Sequence, residues 1–331
     1  MANNRYTKAV VWGDYNNDRY PDIYVSNMMS ENRLYKNNRD GTFSDVAGVL
    51  GVNKPLNSFP AWFFDYNNDG NLDIFASTYD SRTSHIAAHY TKQPVEFEAA
   101  CLYRGDEKGN FENVAEQLGL SIPMLPMGSN FGDLNGDGFL DFYLGTGDPS
   151  FSSLVPNMMF LNREGKQFED VSFSGGFAHL QKGHAVAFAD LDNDGDQDVF
   201  EQLGGAFLGD KYPNALFENP GFGNRWIAIE LEGNKSNRDG IGARIHVEII
   251  RDGQSTSIYR HVCSGGSFGA NPLRQFIGLG SANRIEKIEI YWPTTDQTQT
   301  FSKLDMDQTI RVTEGNSEVR VLNLKSFQFA K

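Results

Sequence analysis

The chain has 331 residues and a formal net charge of −14, with 39% hydrophobic and 13% aromatic residues. That apolar content supports real cores and excludes a disordered acidic tail, while the negative charge opposes binding to nucleic acid, whose phosphates would repel it. No apolar run approaches the ~18–20 residues of a membrane span, and the 34 glycines with no long helical periodicity favour a β protein rich in turns.

In chain order, the opening "MANNRYTKAVVWGD" lacks a charged region followed by an apolar one, so no signal peptide is visible. The first motif follows almost at once, as in a mature or excised fragment. "KAVVWG" reads as a strand and runs into "DYNNDRYPD" from Asp14. The pattern returns as "AWFF" before "DYNNDGNLD" from Asp65, "GSNFG" before "DLNGDGFLD" from Asp133, and "HAVAFA" before "DLDNDGDQD" from Asp190. Each loop is followed by a β-type run ("IYVSN", "IFAST", "FYLGTG", "VFEQLGG") and then by "RLYKN", "CLYRG", "MMFLN" or "ALFEN". The first three repeats close with "GTFSDV", "GNFENV" and "KQFEDV". Four short strands per repeat of about 50 residues predict one propeller blade each.

Five aspartates within Asp190–Asp198 would repel one another unless something offsets them. Oxygen side chains at positions 1, 3, 5 and 9, with a backbone carbonyl at position 7, suit calcium, which takes 6–8 oxygen ligands. Histidine and cysteine are absent from all four loops, which argues against zinc or copper. The predicted ligand sets are Asp190, Asp192, Asp194 and Asp198 with the Asp196 carbonyl; Asp65, Asn67, Asp69 and Asp73; Asp133, Asn135, Asp137 and Asp141; and, more weakly, Asp14, Asn16, Asp18 and Asp22. Arg19 stands at position 6 of the first loop, where the other three have glycine. A solvated Asp/Asn turn is the alternative for any one loop, but a poor account of four at matching places.

From Trp226 the pattern changes to seven short alternating strands, "WIAIEL", "ARIHVEII", "SIYRHV", "RQFIGL", "KIEIYW", "TQTF" and "TIRVT", which predict a small β-sandwich. The repeats resemble FG-GAP/VCBS repeats, the calcium-loop blades of integrin-type propellers. The stretch carrying "NRWIAIELEG", "SNRDGIGARIHV", "GSFGANPLRQFIGLG", "IEIYWP" and "EG" resembles the ASPIC/UnbV domain of the cartilage acidic protein family. The expected architecture is therefore all-β: propeller repeats over residues 1–221, a sandwich over 222–316 and a C-terminal tail over 317–331. "ALFENPGFGN" leaves too little linker for independent tumbling, so a packed pair is expected. Such families usually have about seven blades. The four visible here imply that blades are missing at the N-terminal side, or that an oligomer or another chain completes the ring.

Other motifs offer chemistry. His179, Lys182 and His184 precede the fourth loop and form a candidate acid/base or anion-binding set, against two histidines bonded to carbonyls in a tight turn. His85 and His89 have helical metal-pair spacing but lack the glutamate of a zincin motif, which favours a solvated insertion helix. Met124 and Met127 read as packing or a loop clamp rather than soft-metal ligands. Arg244, Arg260 and Arg274 flank "SGGSFG", a turn type that can hold a carboxylate or sulfate; surface salt bridges are the alternative. Cys101 and Cys263 lie in different predicted domains, so no disulfide framework is indicated. The resemblance implies an extracellular or periplasmic module that binds a protein or glycan without catalysis. The rivals are an enzyme (lyase, cyclase or isomerase) with its site in the propeller mouth, and a structural subunit.

Overall fold

The computed structural model describes residues 3–329 as a succession of small antiparallel sheets followed by a two-sheet sandwich. The first blade is β1 (Tyr6–Gly13), β2 (Asp22–Met28), β3 (Arg33–Asn37) and β4 (Phe43–Asp45), paired in sequence order, with a short α1 (Ala47–Leu50) after it. The second holds β5 (Ser58–Phe64) and β6 (Asp73–Thr78), then α2 (Thr83–Tyr90), β7 (Cys101–Gly105) and β8 (Phe111–Asn113). The third is β9 (Pro126–Gly132), β10 (Asp141–Thr146), β11 (Met158–Asn162) and β12 (Phe168–Asp170). The fourth stops at three strands, β13 (Gly183–Ala189), β14 (Asp198–Leu203) and β15 (Ala215–Phe217), consistent with its missing closing motif. Each aspartate-rich loop joins the first strand of its blade to the second.

Aromatic side chains weld the blades together. Phe63 of β5 meets Tyr24 of β2, Phe131 of β9 packs on Trp62 and Phe64 of β5, and Phe217 of β15 meets Tyr143 of β10. Three apolar clusters form, one between each pair of successive blades. Burial of this kind stabilises by roughly 25 cal/mol per Å² of apolar surface.

All seven predicted sandwich strands are present: β16 (Arg225–Glu232), β17 (Arg244–Arg251), β18 (Gln254–His261), β19 (Gln275–Gly280), β20 (Arg284–Trp292), β21 (Gln297–Ser302) and β22 (Gln308–Thr313). One sheet runs β18-β17-β20-β21; the other runs β19-β16-β22 and ends on an eighth strand, β23 (Arg320–Leu322). β23 lies inside the stretch expected as a tail, so sheet pairing continues past residue 316. β16 and β22 pair in parallel, a long-range register that short alternating runs do not reveal. Inward residues such as Ile229, Val247, Ile288, Trp292 and Ile310 form one buried core. The "HIAAH" segment is the helix α2, held by buried Ile86, and Met124 is fully buried in the core between the second and third blades. Both cysteines are free.

Candidate metal centre and the domain seam

In every loop the ninth-position carboxylate bonds backbone amides. Asp73 accepts from Tyr66 and Gly105, Asp141 from Leu134 and Asn162, Asp198 from Leu191 and Asn219, and Asp22 from Asn37. These bonds tie each loop to the third strand of its blade. The first-position carboxylates accept from amides across the turn: Asp14 from Asp18 and Arg19, Asp65 from Asp69 and Gly70, Asp133 from Gly138.

The third position separates the loops. Asn16, Asn67 and Asn135 each donate a side-chain amide to the fifth-position carboxylate (Asp18, Asp69 and Asp137). The fourth loop has Asp192 there, which offers no donor. One oxygen from each of Asp190, Asp192 and Asp194 consequently lies within 4.8 Å of the others. Burial pushes Asp190 up to about 6 and Asp196 up to about 7, and neighbouring carboxylates add to both. Buried oxygens without a hydrogen-bond partner remain on Asp22 (Oδ2), Asp133 (Oδ1), Asp192 (Oδ1) and Asp196 (Oδ1). An all-oxygen, carboxylate-rich set with unpartnered atoms fits a hard cation, best in the fourth loop.

The sandwich supplies cations of its own. Arg244 pairs with Asp14. Arg260 is buried, 3.3 Å from Asp133 Oδ2, and also donates to the Gly138 carbonyl. Arg274 acts electrostatically on Asp190. Tyr259 N–H donates to Asn68 and Gly278 N–H to Asp133, so the sandwich rests on the loop face of the propeller. Of the three arginines flanking the glycine-rich turn, Arg244 and Arg260 thus hold carboxylates of the protein's own loops, and Arg274 lies near enough to a third to favour its ionised form.

"SGGSFG" is also explained by this seam. Ser267 exchanges backbone hydrogen bonds with Ser129 of β9, and its Oγ donates to the Ala61 carbonyl of β5. The Val186 amide of β13 donates to the Phe268 carbonyl, and Asn271 bonds Phe131 and Phe188. The loop therefore runs along three innermost strands and fills the centre of the arc. A Cβ on Gly266 would sit 2.2 Å from the Ser129 carbonyl oxygen, and one on Gly269 2.0 Å from that of Val186. Close backbone approach, rather than anion binding, requires these glycines.

In the histidine–lysine set, two of the three side chains have partners of their own. Lys182 is fully buried and ion-paired with Asp210. His179 Nδ1 accepts from the Gln181 amide, and its ring meets Tyr212 edge-on. His184 is half-buried on β13. Sequence reasoning missed Asp210 because it lies 28 residues from Lys182 in a segment with no motif. It also missed Glu201, a buried carboxyl on β14 hydrogen-bonded by Tyr143 and pushed up by burial to about 8.

Beside the first blade, β1 and the sandwich enclose an open cleft of about 500 Å³ that includes Val10, Trp12, Ile241, His261 and Pro293. Burial pushes His261 down to about 4, so it is neutral at physiological pH. Among the described residues no helix is long and apolar enough to cross a membrane.

Comparison with known proteins agrees with this geometry. No curated protein matches the chain. Residues 5–76, spanning the first blade and the opening hairpin of the second, match the FG-GAP-like repeat, and residues 233–319, most of the sandwich, match the ASPIC and UnbV family. The chain is thus an all-β protein with an FG-GAP-like, propeller-type repeat at residues 5–76 and an ASPIC/UnbV domain at residues 233–319, a combination that suggests a binding or interaction module.

Proposed function

We propose that the chain is a calcium-stabilised, non-enzymatic module that recognises a protein or glycan outside the cytoplasm. The observation that carries the calcium part is the convergence of Asp190, Asp192 and Asp194. An ion held there would offset the repulsion among these carboxylates and fix the turn between β13 and β14. The chain's own residues do the rest: ninth-position aspartates lock each loop to its blade, and the sandwich arginines clamp the loop face. The enzymatic reading has less support, because Lys182 is paired and buried and the arc centre is filled by the loop around Ser267.

Melting the protein in calcium and in excess EGTA, after verified metal removal, tests the reading. An ion bound only by the native state adds RT ln(1 + [L]/Kd), about 2.7 kcal/mol at a hundredfold excess over Kd. A lower melting temperature in EGTA is expected; superimposable curves would remove calcium from the proposal. Immobilised glycan and protein panels, probed with wild type and His184→Ala, test the binding role. Binding that survives the substitution supports a module. Turnover of a panel member, lost with His184→Ala, would favour the enzyme.

A further inference from the structure

The fourth residue of each aspartate-rich loop turns the chain through the left-handed region: Asn17 at φ 58°, Asn68 at 56°, Gly136 at 66° and Asn193 at 58°. Each of the first three loops is braced by the next one along the arc. Asn17 Nδ2 donates to Asn71 Oδ1 of the second loop at 3.2 Å, and Asn68 Nδ2 to the Gly138 carbonyl of the third at 2.9 Å. The third loop has no side chain at Gly136 and is held at its first residue instead, where the Asp133 amide donates to Gln197 Oε1 of the fourth loop at 2.7 Å. Among the described residues no fifth blade follows to brace the fourth loop in the same way.

The segment after β23 takes that place. It leaves the sandwich edge and returns to the propeller, where Asn193 Nδ2 donates to the Lys325 carbonyl at 3.2 Å and the Phe327 amide donates to the Asp192 carbonyl at 3.0 Å. The Phe327 and Phe329 rings meet edge-on, yet residues 323–328 are all exposed, so polar contacts rather than burial hold the segment. Asp192 faces two ways. Its carboxylate converges with those of Asp190 and Asp194, its Oδ1 buried and unpartnered, while its carbonyl receives the segment.

We propose that residues 323–329 are a latch on the fourth loop, that Asn193, Lys325 and Phe327 are positioning residues for a divalent cation held there, and that ion binding and latch docking strengthen each other. The physical reason is shared order. An ion held by Asp190, Asp192 and Asp194 requires one arrangement of their backbone, and the latch fixes two residues of it, through the Asp192 carbonyl and the left-handed Asn193. A loop already ordered loses less conformational freedom when the ion arrives. The coupling is reciprocal, so a partner that drew the segment away would weaken ion binding by the same factor. The inference rests on the calcium reading of the fourth loop and adds to it an element that tunes this one site.

Calorimetric calcium titration of the full chain, of a chain ending at Leu322 and of Asn193→Gly tests the latch. The glycine variant removes the donating amide and still accepts the left-handed backbone, as Gly136 does in the third loop. Both variants should bind calcium at least about fivefold more weakly at one site, the lower end of usual coupling between sites. Neither change should weaken calcium binding further in an Asp192→Asn background, where the fourth loop's carboxylate set is already broken. Calcium should in turn slow hydrogen exchange at the Phe327 amide by a similar factor. Calcium affinity unchanged in both variants overturns the latch and leaves the calcium reading standing, as does Phe327 exchange indifferent to calcium. A truncation effect equally large in the Asp192→Asn background would mean general loosening of the seam and overturn the latch too. A full chain that takes up no calcium overturns the latch and the calcium reading together.

Discussion

The third and fourth loops share one nine-residue spacing and neutralise it differently. In Asp133–Asp141 an asparagine at position 3 internally bonds Asp137, and a buried arginine from the sandwich reaches Asp133. In Asp190–Asp198 the third position is an aspartate, three carboxylates converge, and Asp194 is open to solvent. A third arrangement lies in the sandwich. Glu314, just after β22, accepts from the amides of Asn234, Lys235 and Ser236 and from the hydroxyls of Ser236 and Thr295. Arginine and backbone amides thus stabilise buried negative charge in one chain, while the fourth loop leaves its converging carboxylates to the cation proposed above. The motif alone does not say which is used; what the rest of the fold brings to the loop decides.

The largest effect should come from Arg260→Met. It leaves Asp133 buried opposite no cation and removes the nearby charge that favours ionised Asp65. Breaking a buried pair from one side costs about 3–5 kcal/mol, measurable by urea unfolding in EGTA. A loss under about 1 kcal/mol would show that the third loop does not depend on arginine and erase its contrast with the fourth.

Next in size is the calcium response. Asp192→Asn restores to the fourth loop the asparagine of the other three and should remove most of the calcium-induced rise in melting temperature. Asp137→Asn, in a loop already served by Arg260, should remove less. Calorimetric calcium titration of both variants checks this, and equal losses would mean that the loops are equivalent after all.

The repeats were legible because each loop, its flanking strands and its spacing lie within about 50 residues, and alternation gave seven of the eight sandwich strands, missing only the short edge strand β23. The partners across the seam were not. Arg260 and Asp133 are 127 residues apart, and neither arginine nor loop carries a local signal that names the other. The same holds for Ser267 against Ala61, 206 residues away, so a glycine-rich turn that packs against strands read as one that binds an anion. His179, Lys182 and His184 looked like a group because they are close in sequence, whereas Asp210 decides what Lys182 does.

Glu314 offers a smaller, pH-dependent test. Burial alone would raise its carboxyl, but the amides of Ser236 and Lys235 and the hydroxyls of Ser236 and Thr295 outweigh it and bring it from 4.5 down to about 2. A depressed folded-state value means that the stabilisation is present above the unfolded value and is lost as pH falls through about 2. Glu314→Gln should therefore cost about 1.5–3 kcal/mol near neutrality, the range for hydrogen bonds to a charged group. The gap from wild type should close between about pH 4.5 and pH 2. A gap that persists unchanged at pH 2 would mean that shape, not charge, holds the 234–236 turn.

The smallest change should follow Arg19→Gly in the first loop. Arg19 adopts φ 77°, the left-handed region that Gly70, Gly138 and Gly195 occupy in the other loops. In the third and fourth loops glycine is also required by the sandwich: a Cβ on Gly138 would sit 2.9 Å from Ile258, and one on Gly195 2.3 Å from the Trp226 indole nitrogen. Arg19 has room because its side chain runs outward to Asp296, a pair exposed enough to be worth little. Relief of left-handed strain, about 1–2 kcal/mol, opposes the larger unfolded-state entropy of glycine, about 0.4–1 kcal/mol, and the lost pair. The net should be a gain of no more than about 1 kcal/mol by chemical denaturation. A clear destabilisation would show that the Arg19–Asp296 pair is a second clamp between the first loop and the sandwich, beside the Arg244–Asp14 pair.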